Sequence, residues 1–319
     1  MKNTLVLYES RYGFTKMAAE QAALVLGPGK CMRLSEFQEN GQQWDLVVLL
    51  MPVYHEKLEQ EAVLCIKNNL EWLKTKKIVL FCTCLAREYA KKYLKPVSEL
   101  LGSCVVFQDA VAGNLVLSRL NNEDRKETAA FFQSAGLKEQ DYLCFDQEWY
   151  IETLLGIKEW KDTPVIAMDE KKILEFCEEF LLNHDTCSLS TGYGNRIRAT
   201  PVEYRYKNGF LFILSEGGEK FANILLNPNV SVAVFNEFQG MNRLRGMQIK
   251  GTAEIIETGS QEYRDFLDMR NLKYENVMKF PSKLHLIRIR ICRIEFLWSG
   301  FRDMGIDVKQ ILTFCNPPK

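Results

Sequence analysis

The chain opens on a short apolar run, Thr4–Tyr8, and similar runs recur through its first half at Lys30–Leu34, Asp45–Met51, Lys77–Cys82 and Ser103–Phe107. Between them, Thr15–Leu26, Leu58–Leu73, Arg87–Leu101 and Asn122–Ser134 space their apolar residues three and four apart, the period of a helix with one buried face. The third run, LVVLLM from Leu46 to Met51, is apolar without alternation. That pattern suits a strand covered on both faces, as in a parallel sheet flanked by helices. Strand and helix alternating over short connections predict a doubly wound α/β unit.

The pattern changes after residue 160. Lys158–Pro164 is a charged stretch ending in Thr-Pro and reads as a linker. Asp169–Leu182 reads as a helix with Ile173, Phe176, Cys177 and Phe180 on one face. Thr186–Thr191, Ile197–Tyr206, Phe210–Ser215, Val230–Asn236, Gly246–Glu257 and Lys283–Leu297 read as strands, with a short helix at Glu219–Leu226. Gly192–Asn195 is a turn cluster, and Asn208-Gly209 is a strong two-residue hairpin signal. The expected fold class is therefore α/β plus all-β, with domains at 1–160 and 165–319, the second a β-barrel with small helices.

Composition narrows the chemistry. Lys plus Arg and Asp plus Glu both number 41, so no net field draws the chain to nucleic acid or anionic lipid. No run approaches the roughly 20 apolar residues that span a bilayer, and the first residues lack the parts of a secretory leader. Ten cysteines are scattered without a framework, from Cys31 to Cys315, which points to a reduced compartment and a cytoplasmic location. Cys82 and Cys84 share one face of a strand and do not form a C-x-x-C turn. Three histidines, His55, His184 and His285, lie far apart, so no metal site is expected.

The first candidate site follows the first strand. Ser10, Arg11, Tyr12, Gly13, Phe14 and Thr15 lead from that strand into a helix. A helix N-terminus there can hold an anion with backbone N–H groups, Gly13 permits close backbone approach, and Ser10 and Thr15 add hydroxyls. No P-loop lysine follows, which disfavours a nucleotide triphosphatase. On spacing alone, a plain β–α turn with Ser10 or Thr15 as the helix cap fits as well as an anion site.

The S-x-x-G-x-T pattern after a first strand resembles the phosphate loop of flavodoxins. The resemblance continues at Met51–Lys57, after the third strand, and at Cys82–Ala86, after the fourth. It implies a flavodoxin-like parallel sheet of strand order 2-1-3-4-5 and an FMN whose ring meets Pro52, Val53, Tyr54 and Thr83. Tyr54 reads equally as a half-buried core aromatic, and His55 as a solvated loop residue. Within the superfamily this half, about residues 1–157, is most similar to the menaquinone-dependent protoporphyrinogen oxidases, through Ala112-Gly113-Asn114-Leu115 and the later Arg119. The long insertion those oxidases carry near the last strand is absent or different here, which counts against porphyrinogen chemistry.

The second candidate site lies in the other half. Arg198-Ala199-Thr200-Pro201-Val202 is followed by Ser215, by Gly217-Gly218-Glu219-Lys220 and by Asn227-Pro228-Asn229-Val230. Arg198, Lys220 and Ser215 form a set able to clamp a phosphate dianion, Arg as a planar fork and Lys as a point charge. The order of these segments, with Lys250-Gly251-Thr252-Ala253 after them, resembles the FMN-binding split barrels of the pyridoxamine-phosphate-oxidase type over roughly residues 168–300. That resemblance implies FMN held by Arg198, Thr200, Pro201, Val202, Ser215 and Lys220, and a homodimer with the flavin across the subunit boundary. Trp298, Phe301 and Arg302 are candidates to reach a partner's flavin, with Trp298 as a cap on the barrel core the favoured alternative.

No Ser/His/Asp set, metal carboxylate pair or nucleophile elbow stands out, so the catalytic residues stay unassigned. The leading reading is an FMN-dependent oxidoreductase with one or two FMN per chain, passing electrons from a reduced nicotinamide or other donor to a small molecule or electron-transfer protein. A non-catalytic flavin-binding electron carrier and a haem- or tetrapyrrole-handling protein are the alternatives, with His184 and His285 as the barrel-side axial candidates.

Overall fold

The computed structural model describes residues 2–39 and 41–314, so Cys315 lies outside the described residues. The chain divides into two compact units, Met1–Asp162 and Thr163–Lys319.

The first unit runs β1 (Thr4–Tyr8), α1 (Phe14–Val25), β2 (Gly29–Arg33), β3 (Leu46–Tyr54), β4 (Lys57–Leu58), α2 (Gln60–Asn68), α3 (Leu70–Leu73), β5 (Lys77–Cys84), α4 (Ala90–Leu101), β6 (Val105–Ala112), β7 (Asn114–Leu115), α5 (Asn122–Ala135), β8 (Tyr142–Leu143) and α6 (Gln147–Asp162). Its sheet has the order β2-β1-β3-β5-β6, all parallel, with two-residue β4 antiparallel to the end of β3. Counting only the parallel strands, this is the expected 2-1-3-4-5 order.

The apolar run in β3 explains the layering. Val47, Leu49 and Met51 join one core with α2, α3 and α4, while Leu46, Val48 and Leu50 join a second core with α1 and α6. Alternate residues of one strand thus feed opposite layers. Each fully buried aliphatic side chain contributes about 1.5–3 kcal/mol, so both helix layers are anchored by the same strands.

The sequence reading needs correction at two places here. The helical pattern at Leu58–Leu73 divides into the end of β4, α2 and α3. The expected linker Lys158–Pro164 is helical through Asp162, because α6 packs Tyr150, Leu154 and Ile157 into the core and stops ahead of the Thr163-Pro164 pair. Lys161 in particular is buried, and its ammonium donates to Thr4 Oγ1 and to the carbonyls of Lys2, Leu26 and Gly27. It therefore ties α6 to the edge where β1 begins, and burial pulls its pKa below the ordinary lysine value.

The second unit runs α7 (Glu170–Leu182), β9 (Thr186–Tyr193), β10 (Arg196–Glu203), β11 (Arg205–Lys207), β12 (Phe210–Ser215), α8 (Glu219–Leu226), β13 (Asn229–Phe235), β14 (Arg245–Ile256), α9 (Gln261–Met269), α10 (Tyr274–Val277), β15 (His285–Trp298) and β16 (Lys309–Thr313). Among the described residues it is one antiparallel sheet of order β10-β9-β13-β14-β15-β12-β11, with β16 on β15. The sheet curls around a core that takes Ile173, Cys177 and Phe180 from α7, which is the split-barrel arrangement. The single strand expected at Ile197–Tyr206 breaks at Tyr204. That residue is buried, its amide donates to Asp185 O at 2.7 Å and its hydroxyl to Leu181 O at 2.8 Å. The sequence reading also omits α9, although Tyr263, Phe266 and Leu267 recur at helical spacing behind the Ser260 cap, and it omits the short α10 and β16.

Gly251 sits at a bulge where β14 shifts register against β15. A Cβ there would lie 2.7 Å from Arg290 O and from Ile289 Cγ2. The strands can pack at this bulge only with glycine, which gives Lys250-Gly251-Thr252-Ala253 a physical meaning beyond pattern.

Candidate functional site

At the carboxyl ends of β1, β3 and β5 lies a cavity of about 1220 Å³. Ligands of open parallel sheets bind at this position, where the strand order reverses. The loop after β1 forms its floor. Gly13 holds φ +89°, the left-handed region, and its amide donates to Ser10 Oγ at 3.0 Å. Helix α1 starts at Phe14 with no side chain capping it and no acidic residue in its first turn. The sequence offered Ser10 or Thr15 as the cap, but Ser10 closes the loop instead, and the Thr15 hydroxyl pairs with that of Thr83 at 2.7 Å. Ser10, Thr15 and Thr83 are buried. The first-turn amides of α1, with their partial positive charge, are left to face a ligand. Phosphate fits this cradle.

Arg11 is a poor phosphate ligand as placed. Its guanidinium pairs with Glu59 at 2.9 Å and with Asp124 at 3.6 Å, and it lies over the Tyr54 ring at 4.6 Å. The Arg11 amide donates to the Tyr54 hydroxyl at 3.0 Å. Tyr54 is thereby fixed edge-on to Tyr12, ring centres 6.0 Å apart. Pro52, Val53, Tyr54, Thr83 and Cys84 line the same cavity with Phe14, Tyr89 and Tyr93, so both expected ring-contacting loops converge on the phosphate cradle. Gly113, Asn114, Leu115 and Arg119 also line it.

The structure brings in residues the sequence did not mark. Asp124, in the first turn of α5, is buried and accepts from the Tyr12 hydroxyl, from His55 Nε2 at 3.0 Å and from Asn121 Nδ2 at 3.2 Å. Burial opposes its charge, but the bonds from Tyr12 and His55 and the Arg11 charge hold its carboxyl below the ordinary range. Tyr12 is pushed up to about 12, by burial first and then by its bond to Asp124. The other ring nitrogen of His55 contacts the Glu127 carboxylate. His55 is exposed in its turn, as expected of a solvated loop histidine, yet both its ring nitrogens have carboxylate partners. No local pattern could have joined residues 12, 55 and 124.

Cys82 and Cys84 do share one face of β5, with Cys82 buried and Cys84 half-buried at the cavity. Their mutual hydrogen bond, with burial, raises the Cys82 thiol above its ordinary range.

In the second unit, β10 is an edge strand paired only with β9, so Pro201 sacrifices no ladder bond. Helix α8 starts after Gly217 and Gly218 without a side-chain cap. Lys220 is buried and donates to Gly217 O at 2.6 Å. Burial, then the nearby Arg198 charge, pull its pKa below the ordinary lysine value, so the two cations do share one neighbourhood. Arg198 is half-exposed and paired with Glu219 at 2.9 Å, a bond that an incoming anion must displace. The Thr200 hydroxyl and the Asn223 side-chain oxygen are buried with no hydrogen-bond partner. The uncapped helix, the two cations and the unpartnered Thr200 hydroxyl together fit a phosphate. Ser215 ends β12 opposite His285, and Val202 packs against the core.

Of the residues expected to reach across a dimer, Phe301 is fully buried and cannot do so. Trp298 packs on Phe176, Phe296 and Phe301 under the Arg245 guanidinium, so it caps the barrel core. Arg302 is exposed. Both ring nitrogens of His184 are engaged, with Phe180 O at 2.7 Å and Asn236 Oδ1 at 2.8 Å, which removes it as an axial ligand in this conformation. Among the described residues no group of three or more His, Cys, Asp or Glu is placed to hold a metal ion, and no helix is long and apolar enough to cross a membrane.

Comparison with known proteins agrees with both halves. Residues 5–140 match the family described as flavodoxin domain, and residues 173–298 match that described as pyridoxamine 5'-phosphate oxidase. The chain carries a flavodoxin domain followed by a domain of the pyridoxamine 5'-phosphate oxidase family. Similar solved structures include an FAD-binding protein from Mesorhizobium loti, 23% identical over 38% of this chain and 90% of its own, with a TM-score of 0.31. General Stress Protein 26 from Bacillus anthracis is 18% identical over 44% of this chain and 98% of its own, TM-score 0.33. The haem storage protein HutZ from Vibrio cholerae is 16% identical over 44% of this chain and 96% of its own, TM-score 0.32. No curated protein matches the chain.

Proposed function

We propose that the chain is an FMN-dependent oxidoreductase of the cytoplasm, a homodimer through its split barrel, taking electrons from a reduced nicotinamide or other donor and passing them to a small-molecule or protein acceptor. One observation carries this reading. The uncapped start of α1, ringed by the hydroxyls of Ser10, Thr15 and Thr83, opens into a cavity walled by Tyr54 and Phe14, so a phosphate tail and a flat ring system are served together. Both domain families bind flavin, which supports the same cofactor. Flavin supplies the electron transfer; the chain supplies binding, orientation and field.

In the first unit, phosphate is held by amide dipoles while Arg11 stays neutralised by Glu59 and Asp124. In the second, Lys220 and Arg198 supply charge. The exposed apolar side chains Ile197, Phe235 and Phe238 support burial against a second copy. The absorbance spectrum of the purified chain, with the ratio of released FMN to protein, tests the cofactor, and one or two equivalents are expected. A folded, colourless preparation that takes up no added FMN refutes the reading. Anaerobic NADH or NADPH should bleach the bound flavin; no bleaching with either eliminates nicotinamide as donor.

A further inference from the structure

A two-residue hairpin joins β3 to β4, with Val53 opposite Leu58 and Tyr54 opposite Lys57. Its two turn residues, His55 and Glu56, hold φ +50° and +57°. Such turns ordinarily take Asn-Gly, because a side chain in the left-handed region costs about 1–2 kcal/mol per residue. Here neither residue is glycine. Strain retained at two successive residues marks a position whose side chain matters.

The turn carries the His55 ring to α5. Nε2 lies 3.0 Å from Asp124 Oδ1, and Nδ1 contacts Glu127 Oε2. Asp124 already accepts from Tyr12 and Asn121 through its other oxygen, Oδ2, so Oδ1 is left for the ring. Both contacts are hydrogen bonds at once only when both ring nitrogens carry protons. The charged and titratable groups around the ring are Arg11 and Tyr12 from the loop after β1, Tyr54 and Glu56 from the hairpin, Glu59 before α2, and Asp124 and Glu127 from α5. Arg11 is already neutralised by Glu59 and Asp124. His55, Asp124 and Glu127 all line the cavity, and the Glu127 side chain is half-exposed to solvent.

We propose that His55 is the proton donor of this cavity, oriented by Asp124 as a positioning residue and linked to solvent through Glu127. The proposal rests on the flavin reading above and names the class of acceptor: an organic carbonyl or quinone, which takes a proton with its electrons. Bound flavin would supply such an acceptor with a hydride, two electrons in all, and leave it as an oxyanion that needs a proton. The proton on Nδ1 passes to that oxygen, completing the hydroxyl. The imidazole then regains a proton from water by way of Glu127.

The test uses the full chain loaded with FMN, reduced anaerobically by light, then mixed with 1,4-benzoquinone or with ferricyanide. Quinone needs protons; ferricyanide takes electrons alone. His55→Asn suits the left-handed turn better than histidine, so folding and FMN content should stay native. We expect it to slow quinone reduction at least tenfold, within the range for general acids, and to leave ferricyanide reduction within twofold. Imidazole added to His55→Gly should restore part of the quinone rate.

In the FMN-free chain, histidine NMR gives an independent readout. With three histidines in the chain, His55 is assigned by its loss in His55→Asn, and Asp124→Asn and Glu127→Gln should shift the ring-nitrogen resonances that report the Nε2 and Nδ1 contacts respectively. Equal slowing of both acceptors, an unchanged quinone rate, or His55 ring-nitrogen resonances indifferent to both carboxylates overturns the proposal. If the native spectrum shows no FMN, the flavin reading fails first, and this proposal fails with it.

Discussion

The two candidate phosphate pockets reach one electrostatic end by opposite means. Near Gly13 the donors are first-turn amides and hydroxyls, and the one nearby guanidinium is consumed by Glu59 and Asp124. Near Gly218 the donors include two cations, one buried and one held by Glu219. Dipoles fixed by the fold need no reorganisation when a ligand arrives, whereas Arg198 must leave its carboxylate and Lys220 must be desolvated whether or not a ligand comes. The first pocket is pre-set; the second draws its attraction from charge and bears a cost in the free protein.

The sharpest way to break this contrast is to remove each device in turn. Arg198→Ala with Lys220→Ala deletes two charged hydrogen bonds of about 1.5–3 kcal/mol each, and should weaken FMN binding at the second pocket by roughly two to four powers of ten. Flavin released per chain should fall by one equivalent while the first pocket keeps its own. Gly13→Val forces a β-branched residue to φ +89° at a cost of about 1–2 kcal/mol, and should weaken only the first pocket, about tenfold. If either change empties both pockets, the sites are not independent.

Salt should separate them next. At ~0.5 M salt the screening length shrinks to a few ångströms, against about 10 Å at 0.1 M. FMN affinity at the charged second pocket should then drop about tenfold relative to ~50 mM, and at the amide pocket by no more than about twofold. Calorimetric titration of each single-pocket variant reads the two slopes separately. Equal slopes would show that Arg11 is released from its carboxylates when phosphate binds.

The legibility of the two halves differs in the same way. The parallel sheet was readable because LVVLLM admits few other environments, and the phosphate loop because its residues are contiguous. The barrel was readable through Asn208-Gly209 and the spacing from Arg198 to Pro228. The linker was misplaced because Lys158, Lys161 and Asp162 look solvated, whereas Lys161 finds its partners in Lys2, Thr4, Leu26 and Gly27, far away along the chain. The Tyr12–Asp124–His55–Glu127 cluster was invisible for the same reason. Tyr12 stands out only as part of the loop after β1, His55, Asp124 and Glu127 are ordinary in their own windows, and only the closed α/β unit brings the three segments together. Local periodicity reports what a residue does to its own element, and long-range polar pairing leaves no periodic trace.

The smallest effect bears on that cluster. The Asp124 carboxyl is held below its unfolded value of 3.8. A depressed carboxyl pKa gives stability that is fully present above the unfolded value and is lost as pH falls through the folded one. Asp124→Asn removes the charge that faces His55 and Arg11 while keeping an oxygen for the Tyr12 hydroxyl. At pH 7 it should cost the first unit about 1 kcal/mol, the scale of one net hydrogen bond, and that gap should close as pH falls below 3.8 and the native carboxyl takes up its proton. Urea unfolding followed by tryptophan fluorescence measures it, since Trp44, Trp72, Trp149 and Trp160 all lie in this unit. A gap that stays constant down to pH 3 would mean that Asp124 holds the cluster by shape and hydrogen bonding alone. The contrast between the pockets would then narrow, because charge would contribute little to the architecture of the first.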